Sequence, residues 1–198
     1  MFAKATNACL HDHEILAHTV PSWLRVFGDR VSSLWIIVDS NPPSGRVGSR
    51  ADIDPNKQAL DKCLENLLAL DPRIRVVPLE SLDTEAISRR WFGRVVPARD
   101  QTGNPISAIV GAFEVPGAEL VLRADSDMLF CEQGWWSEAS TTVSNGDADL
   151  VEPPRLGNRV DSNTALSARA LMMRPASVLS QKFVYKIEQP IGGFGQRF

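Results

Sequence analysis

The sequence predicts an α/β domain: a mostly parallel central sheet with helices on both faces, in three α/β/α layers. Two observations carry this expectation. Short apolar runs of strand length alternate with amphipathic stretches of helical period from residue 3 to residue 130. The clearest of the runs, Ser33–Val38, is apolar on both faces and rich in β-branched residues, which marks a strand covered on both sides. With 198 residues and 43% hydrophobic content, the chain can bury one substantial core, so a single domain spanning 1–198 is expected.

The elements follow in order. Ala3–Leu10 is expected as a first strand, although Lys4, Thr6 and Asn7 interrupt its apolar run. His11–Glu14 reads as the loop after it, with Asp12 a candidate N-cap. From Glu14 to Phe27 the residues Ile15, Leu16, Val20, Trp23, Leu24 and Phe27 recur at helical spacing, and Gly28 is a natural stop. Pro21 inside that stretch implies a kink or a later start. The strand over 33–38 ends at Asp39, and residues 40–55 read as a loop of Ser, Pro, Gly, Asp and Arg. Asn56–Leu70 places Leu60, Leu64, Leu67 and Leu68 on one helical face, ended by Asp71-Pro72.

Arg73–Leu79 is the next short strand, and Thr84–Phe92 a helix with Asp83 as its cap. A further helix begins at Asn104 as N-cap and Pro105 as first helical residue, and runs to about Glu114. Glu119–Ala124 is a buried strand. Gly134–Val143 is expected to be helical and 147–152 a further strand, while 162–173 is apolar with small residues and a helix starts near Pro175. The last residues, Ile191–Phe198, are glycine-rich and aromatic and do not read as a domain end, so we expect a chain cut short at its C-terminus.

The strand over 119–124 runs into Asp125-Ser126-Asp127, two carboxylates one residue apart, followed by Met128, Leu129 and Phe130. Carboxylates that close repel, and burying one without a partner is costly. A divalent cation removes that penalty, and Mg²⁺ usually takes one or two carboxylates together with phosphate oxygens and water. On local grounds a polar turn after a strand explains the same residues. In parallel sheets ligands bind outside the carboxyl ends of the strands. Asp39, the Asn104 helix start and Asp125/Asp127 are all expected at that edge.

Composition excludes other classes. A formal net charge of -3 gives no electrostatic case for nucleic acid or an anionic membrane. Arg89, Arg90, Arg94 and Arg99 form the one basic cluster, suited to a local anionic ligand or to a solvated face. The cysteines, Cys9, Cys63 and Cys131, are odd in number and far apart, which argues against a disulfide scaffold or zinc site and fits a reducing, cytoplasmic setting. The first residues carry no apolar run of signal-peptide length, and no segment approaches the ~20 apolar residues of a spanning helix.

The order of elements, the strand ending in Ile36-Ile37-Val38-Asp39 and the stretch Leu120-Val121-Leu122-Arg123-Ala124-Asp125-Ser126-Asp127 resemble nucleotide-diphosphate-sugar glycosyltransferases of the GT-A fold, closest to the family 2 type. The resemblance covers roughly Ala3 to Arg174. It implies a Rossmann-like nucleotide-binding sheet and a metal-dependent transfer, of hexosyltransferase type, from a nucleotide-diphosphate sugar to a hydroxyl acceptor. By residue, it implies Asp39 at the base or ribose, Asp125 and Ser126 at the sugar nucleotide, and Asp127 with Asp125 on Mn²⁺ or Mg²⁺. Asn104 and Arg99 complete the expected donor side. For the base that deprotonates the acceptor, Glu188 is the late carboxylate in a fitting context and Asp161 the next candidate.

Several motifs have plainer explanations. His11 and His13 suit a polar loop pair better than a metal site. Trp135-Trp136 is expected to put one ring in the core and one at the surface, and Met172-Met173 to pack in the core. Three rival functions share parts of the pattern. A haloacid-dehalogenase-like phosphatase uses D-x-D, but after its first strand. A metal-dependent nucleotidyltransferase needs a glycine-rich basic loop that residues 1–20 lack. A domain that binds the nucleotide sugar without transferring it is the third.

Overall fold

The computed structural model describes residues 1–40, 50–93, 111–153 and 170–180. Their centre is a six-stranded sheet of order β3-β2-β1-β4-β6-β5. The strands are β1 (Phe2–Cys9), β2 (Val31–Asp39), β3 (Ile74–Pro78), β4 (Val121–Ala124), β5 (Leu150–Val151) and β6 (Ala170–Met173). β1 pairs in parallel with β2 and β4, and β2 with β3. β6 is antiparallel to both β4 and β5. The sheet is therefore mostly parallel, as expected, with an antiparallel flank.

Alternate residues of each strand feed two cores. One face carries Phe2, Ala8, Leu34, Ile36, Val38, Leu122 and Met172. It packs on α1 (His13–Phe27), α2 (Arg50–Leu70) and α4 (Trp135–Asn145) through Leu16, Val20, Trp23, Phe27, Leu60, Leu64, Trp136 and Val143. The other face, with Ala3, Ala5, Ile37, Val121, Leu171 and Met173, is covered by Ile87 and Trp91 of α3 (Thr84–Phe92) and by Ala112 and Phe113 from a helical turn over 111–114. The three layers follow from strand alternation meeting helices of matching apolar stripe.

Several differences from the expected elements have physical reasons. α1 continues through Pro21. The lost backbone bond and ring clash cost about 3 kcal/mol, which burial of Val20, Trp23 and Phe27 on one stripe offsets. α2 starts at Arg50, six residues before the expected Asn56, and takes in Pro55, so the loop reading of 50–55 is corrected. Leu68 is exposed, on the solvent side of the stripe made by Leu60, Leu64 and Leu67. β6 was legible only as an apolar stretch. Its partners lie far away in sequence, and no local alternation announces an antiparallel strand.

Asp83 caps α3 as expected, its carboxylate accepting from the Ala86 N–H at 2.9 Å. Trp136 is buried and Trp135 partly so, and Met172 and Met173 are both buried. A short α5 (Pro175–Ser180) begins at the expected proline. Among the described residues no helix is long and apolar enough to cross a membrane.

Candidate functional site

The strand register builds the site. Cys9 lies opposite Asp39 on the β1–β2 ladder, and Ala5 opposite Arg123 on the β1–β4 ladder. Asp39 and the Asp125–Asp127 segment, which directly follows β4, therefore share the carboxyl edge of the parallel strands. The chain passes from β1 to β2 on one side and crosses from β3 to β4 on the other, so the order reverses between β1 and β4. Open α/β sheets bind ligands at such a reversal. Asp125 borders it, and Asp39 lies two strands from β4, only 5% exposed.

The two aspartates of the motif are not equivalent. Arg123 and Asp125 are alternate residues, so both project to the same face of the sheet. They form an ion pair at 2.6 Å, with Arg123 6% and Asp125 32% exposed. Arg123 also donates to Asn7 Oδ1 at 3.5 Å. Asp127 is exposed beyond the turn. Asp125→Ala is accordingly expected to lower folding stability by about 1.5–3 kcal/mol, the contribution of a hydrogen bond to a charged group. Asp127→Ala, at an exposed position, should cost less than Asp125→Ala. Urea denaturation of both variants checks the contrast, and equal midpoints would refute it.

The turn itself closes through the Met128 N–H, which donates to the Asp125 carbonyl at 3.2 Å. Ser126, expected at the sugar nucleotide, donates its hydroxyl to Asp12 Oδ2 at 3.1 Å. The same oxygen accepts the Cys9 N–H at 3.0 Å. Asp12 does occupy the N-cap position of α1, but its side chain caps nothing there and is spent on the β4 turn and the end of β1. That role was missed in the sequence, because an Asp just before a helix reads first as a cap. Asn104, Arg99, Asp161 and Glu188 lie outside the described residues.

Among the described residues no three His, Cys, Asp or Glu side chains come together in a metal-holding group. Asp125 and Asp127 can supply only part of a shell, and the Arg123 guanidinium already engages Asp125. This donor set does not suit a metal held by protein alone. It fits a hard cation that arrives with phosphate oxygens and water. The histidines do not add to it: His11 is exposed in the turn after β1, and the His13 ring meets the Leu10 carbonyl at 3.4 Å. The thiols are poor ligands as well. Burial, reinforced by Asp12, pushes Cys9 up to about 11, and burial raises Cys63, whereas Cys131 is exposed.

No protein-family model matches the sequence. No curated protein matches it at the sequence level. Among solved structures it resembles a galactosyltransferase, LgtC, captured with donor and acceptor sugar analogs, at 13% identity and a TM-score of 0.50. The alignment covers 92% of this chain and 65% of that one, so the chain spans about two thirds of its neighbour's length. The likeness is one of fold: a GT-A, Rossmann-like sheet with its helices.

Proposed function

We propose that the chain is a metal-dependent glycosyltransferase domain that moves a hexosyl group from a nucleotide-diphosphate sugar to a hydroxyl acceptor. The observation that carries this reading is the placement of Asp125-Ser126-Asp127 at the β1–β4 reversal, with Asp39 on the same edge. The likeness to the sugar-analog complex of a galactosyltransferase supports it.

Each residue then has a chemical task. Asp127 would hold Mn²⁺ or Mg²⁺ with the donor's diphosphate, and the cation would supply neutralisation of charge on the departing nucleoside diphosphate. Asp125, its charge balanced by Arg123, accepts hydrogen bonds from the donor's ribose. Asp39 does the same for the nucleoside. Ser126 acts by holding the turn, while Asn104 and Arg99 would extend the donor side. Glu188, with Asp161 as the second candidate, would take the proton of the acceptor hydroxyl. The free cysteines suit a reducing compartment, and we place the reaction in the cytoplasm.

A thermal-shift panel of nucleoside diphosphates and their sugars, with and without Mn²⁺, tests the reading. A ligand at ~100 times its dissociation constant stabilises by about 2.7 kcal/mol, or about 5–10 °C for a domain of this size. Asp127→Ala should abolish the cation-dependent part. No shift with any nucleoside diphosphate would sink the proposal. Phosphatase activity on p-nitrophenyl phosphate that depends on Asp125 would replace it. A shift without release of nucleoside diphosphate from any donor would reduce it to a binding domain.

A further inference from the structure

The turn that carries the two aspartates is gripped at three points by residues of β1, α1 and the loop between them. At its entry, Lys4 Nζ donates to the Ala124 carbonyl at 3.4 Å and to the Ala5 carbonyl at 2.7 Å. In the middle, Asp12 accepts the Ser126 hydroxyl. At its exit, Trp23 Nε1 donates to the Met128 carbonyl at 2.6 Å. Two of the three grips touch each other, since the Lys4 ammonium sits 4.0 Å from the centroid of the Trp23 ring. Lys4 and Trp23 are both fully buried.

Each of these side chains spends a polar group on the segment that carries the aspartates, and Asp12 also accepts the Cys9 N–H at the end of β1. An apolar residue at position 4 would avoid burying an amine between sheet and helix, and phenylalanine at position 23 would keep a ring while removing the indole N–H. What lysine, aspartate and tryptophan supply in common is a directional polar contact to the segment 124–128. A ligand constellation must be held to within about half an ångström to act, and the partners that lock the ligating side chains supply that precision.

We propose that Lys4, Asp12 and Trp23 are positioning residues that set the carboxylates of Asp125 and Asp127 for the cation and diphosphate. This rests on the function proposed above. The first strand and first helix are then part of the donor site without touching donor. Substitutions there act on ligand affinity beyond their effect on folding.

The test uses the full chain with Mn²⁺ plus UDP or GDP as probes, and two readouts. The first is the Mn²⁺ dissociation constant, read from the free-ion resonance signal. Trp23→Phe, which keeps a ring and deletes the N–H, and Asp12→Ala should each weaken binding by about tenfold or more, the usual loss for an outer partner of a metal site. Asp12→Asn keeps an acceptor oxygen for both donors and should bind close to wild type. The second readout needs no ligand: amide exchange over 125–129 should rise in Trp23→Phe and Asp12→Ala, while β2 stays protected. Wild-type affinity in both variants, or exchange in the turn no faster than in wild type, would overturn the positioning role. A wild-type chain that binds neither probe would overturn the proposed function, and the exchange comparison would still decide whether these residues hold the turn. Should Trp23→Phe fail to fold, the Asp12 pair carries both readouts.

Discussion

Trp136→Ala is expected to remove about 3–5 kcal/mol of folding stability. Folded domains hold only about 5–15 kcal/mol in total, so the variant should sit near the edge of unfolding at room temperature. Trp136 is 1% exposed at the start of α4. Its ring lies 4.9 Å from that of Phe27 in an edge-on arrangement and 6.0 Å from that of Phe2, and its N–H donates to the Cys131 carbonyl at 2.9 Å. Truncation opens a cavity, breaks an edge-to-face and a tilted ring contact and leaves a carbonyl without its partner. Trp135→Ala, on the partly exposed neighbour, should cost far less. Urea denaturation measures both, and a Trp136→Ala loss under about 1.5 kcal/mol, half the low end of the expected range, would contradict the packing described.

Lys4→Met should change how stability depends on pH below the ordinary lysine range. Burial holds the Lys4 amine well below its ordinary range; nearby Arg123 acts in the same direction, and Asp125 opposes both. In the unfolded chain the amine titrates near its ordinary value of about 10.4. Between the lowered folded value and that one, the unfolded state binds more protons than the folded state. Wild-type stability therefore rises with pH across this window, by at most about 1.4 kcal/mol per pH unit, and the gain is lost as pH falls through the folded value. Methionine has no proton to exchange, so the wild-type curve should climb relative to that of Lys4→Met as pH rises toward the ordinary lysine value of about 10.4. Parallel curves in chemical denaturation over that range would show that Lys4 titrates as an exposed lysine does.

How much of this was legible in the sequence depends on how local the signal is. β2 was plain because an apolar, β-branched run covered on both faces carries its own signature. The cap of α3 was plain because Asp83 acts on a backbone N–H three residues away. β1 was blurred, although it lies between β2 and β4, because Lys4 and Thr6 count as polar in any pattern. The partners of buried Lys4 are a carbonyl more than a hundred positions away and a ring some twenty positions away. A lysine inside an otherwise apolar strand was still a usable sign, since lysine is almost never fully buried without partners.

The location of Asp125 and Asp127 was likewise predictable, and different roles were expected for them from the resemblance; the ion pair of Arg123 with Asp125 was not foreseen, although the two stand one residue apart at the end of β4. Of the expected donor-side residues, the structure brings Asp39, Asp125 and Asp127 to one edge and turns Ser126 toward Asp12. The expected acceptor-side carboxylates lie outside the described residues.

The contrast among the cysteines has a practical consequence. Cys9 and Cys63 are partly buried with their thiols held protonated, and Cys131 alone is exposed. A maleimide dye at neutral pH should therefore attach at one position of the unmodified chain. That position lies four residues past Asp127, with its backbone fixed by the Trp136 N–H. A fluorophore there would report occupancy of the aspartate turn without any engineered residue.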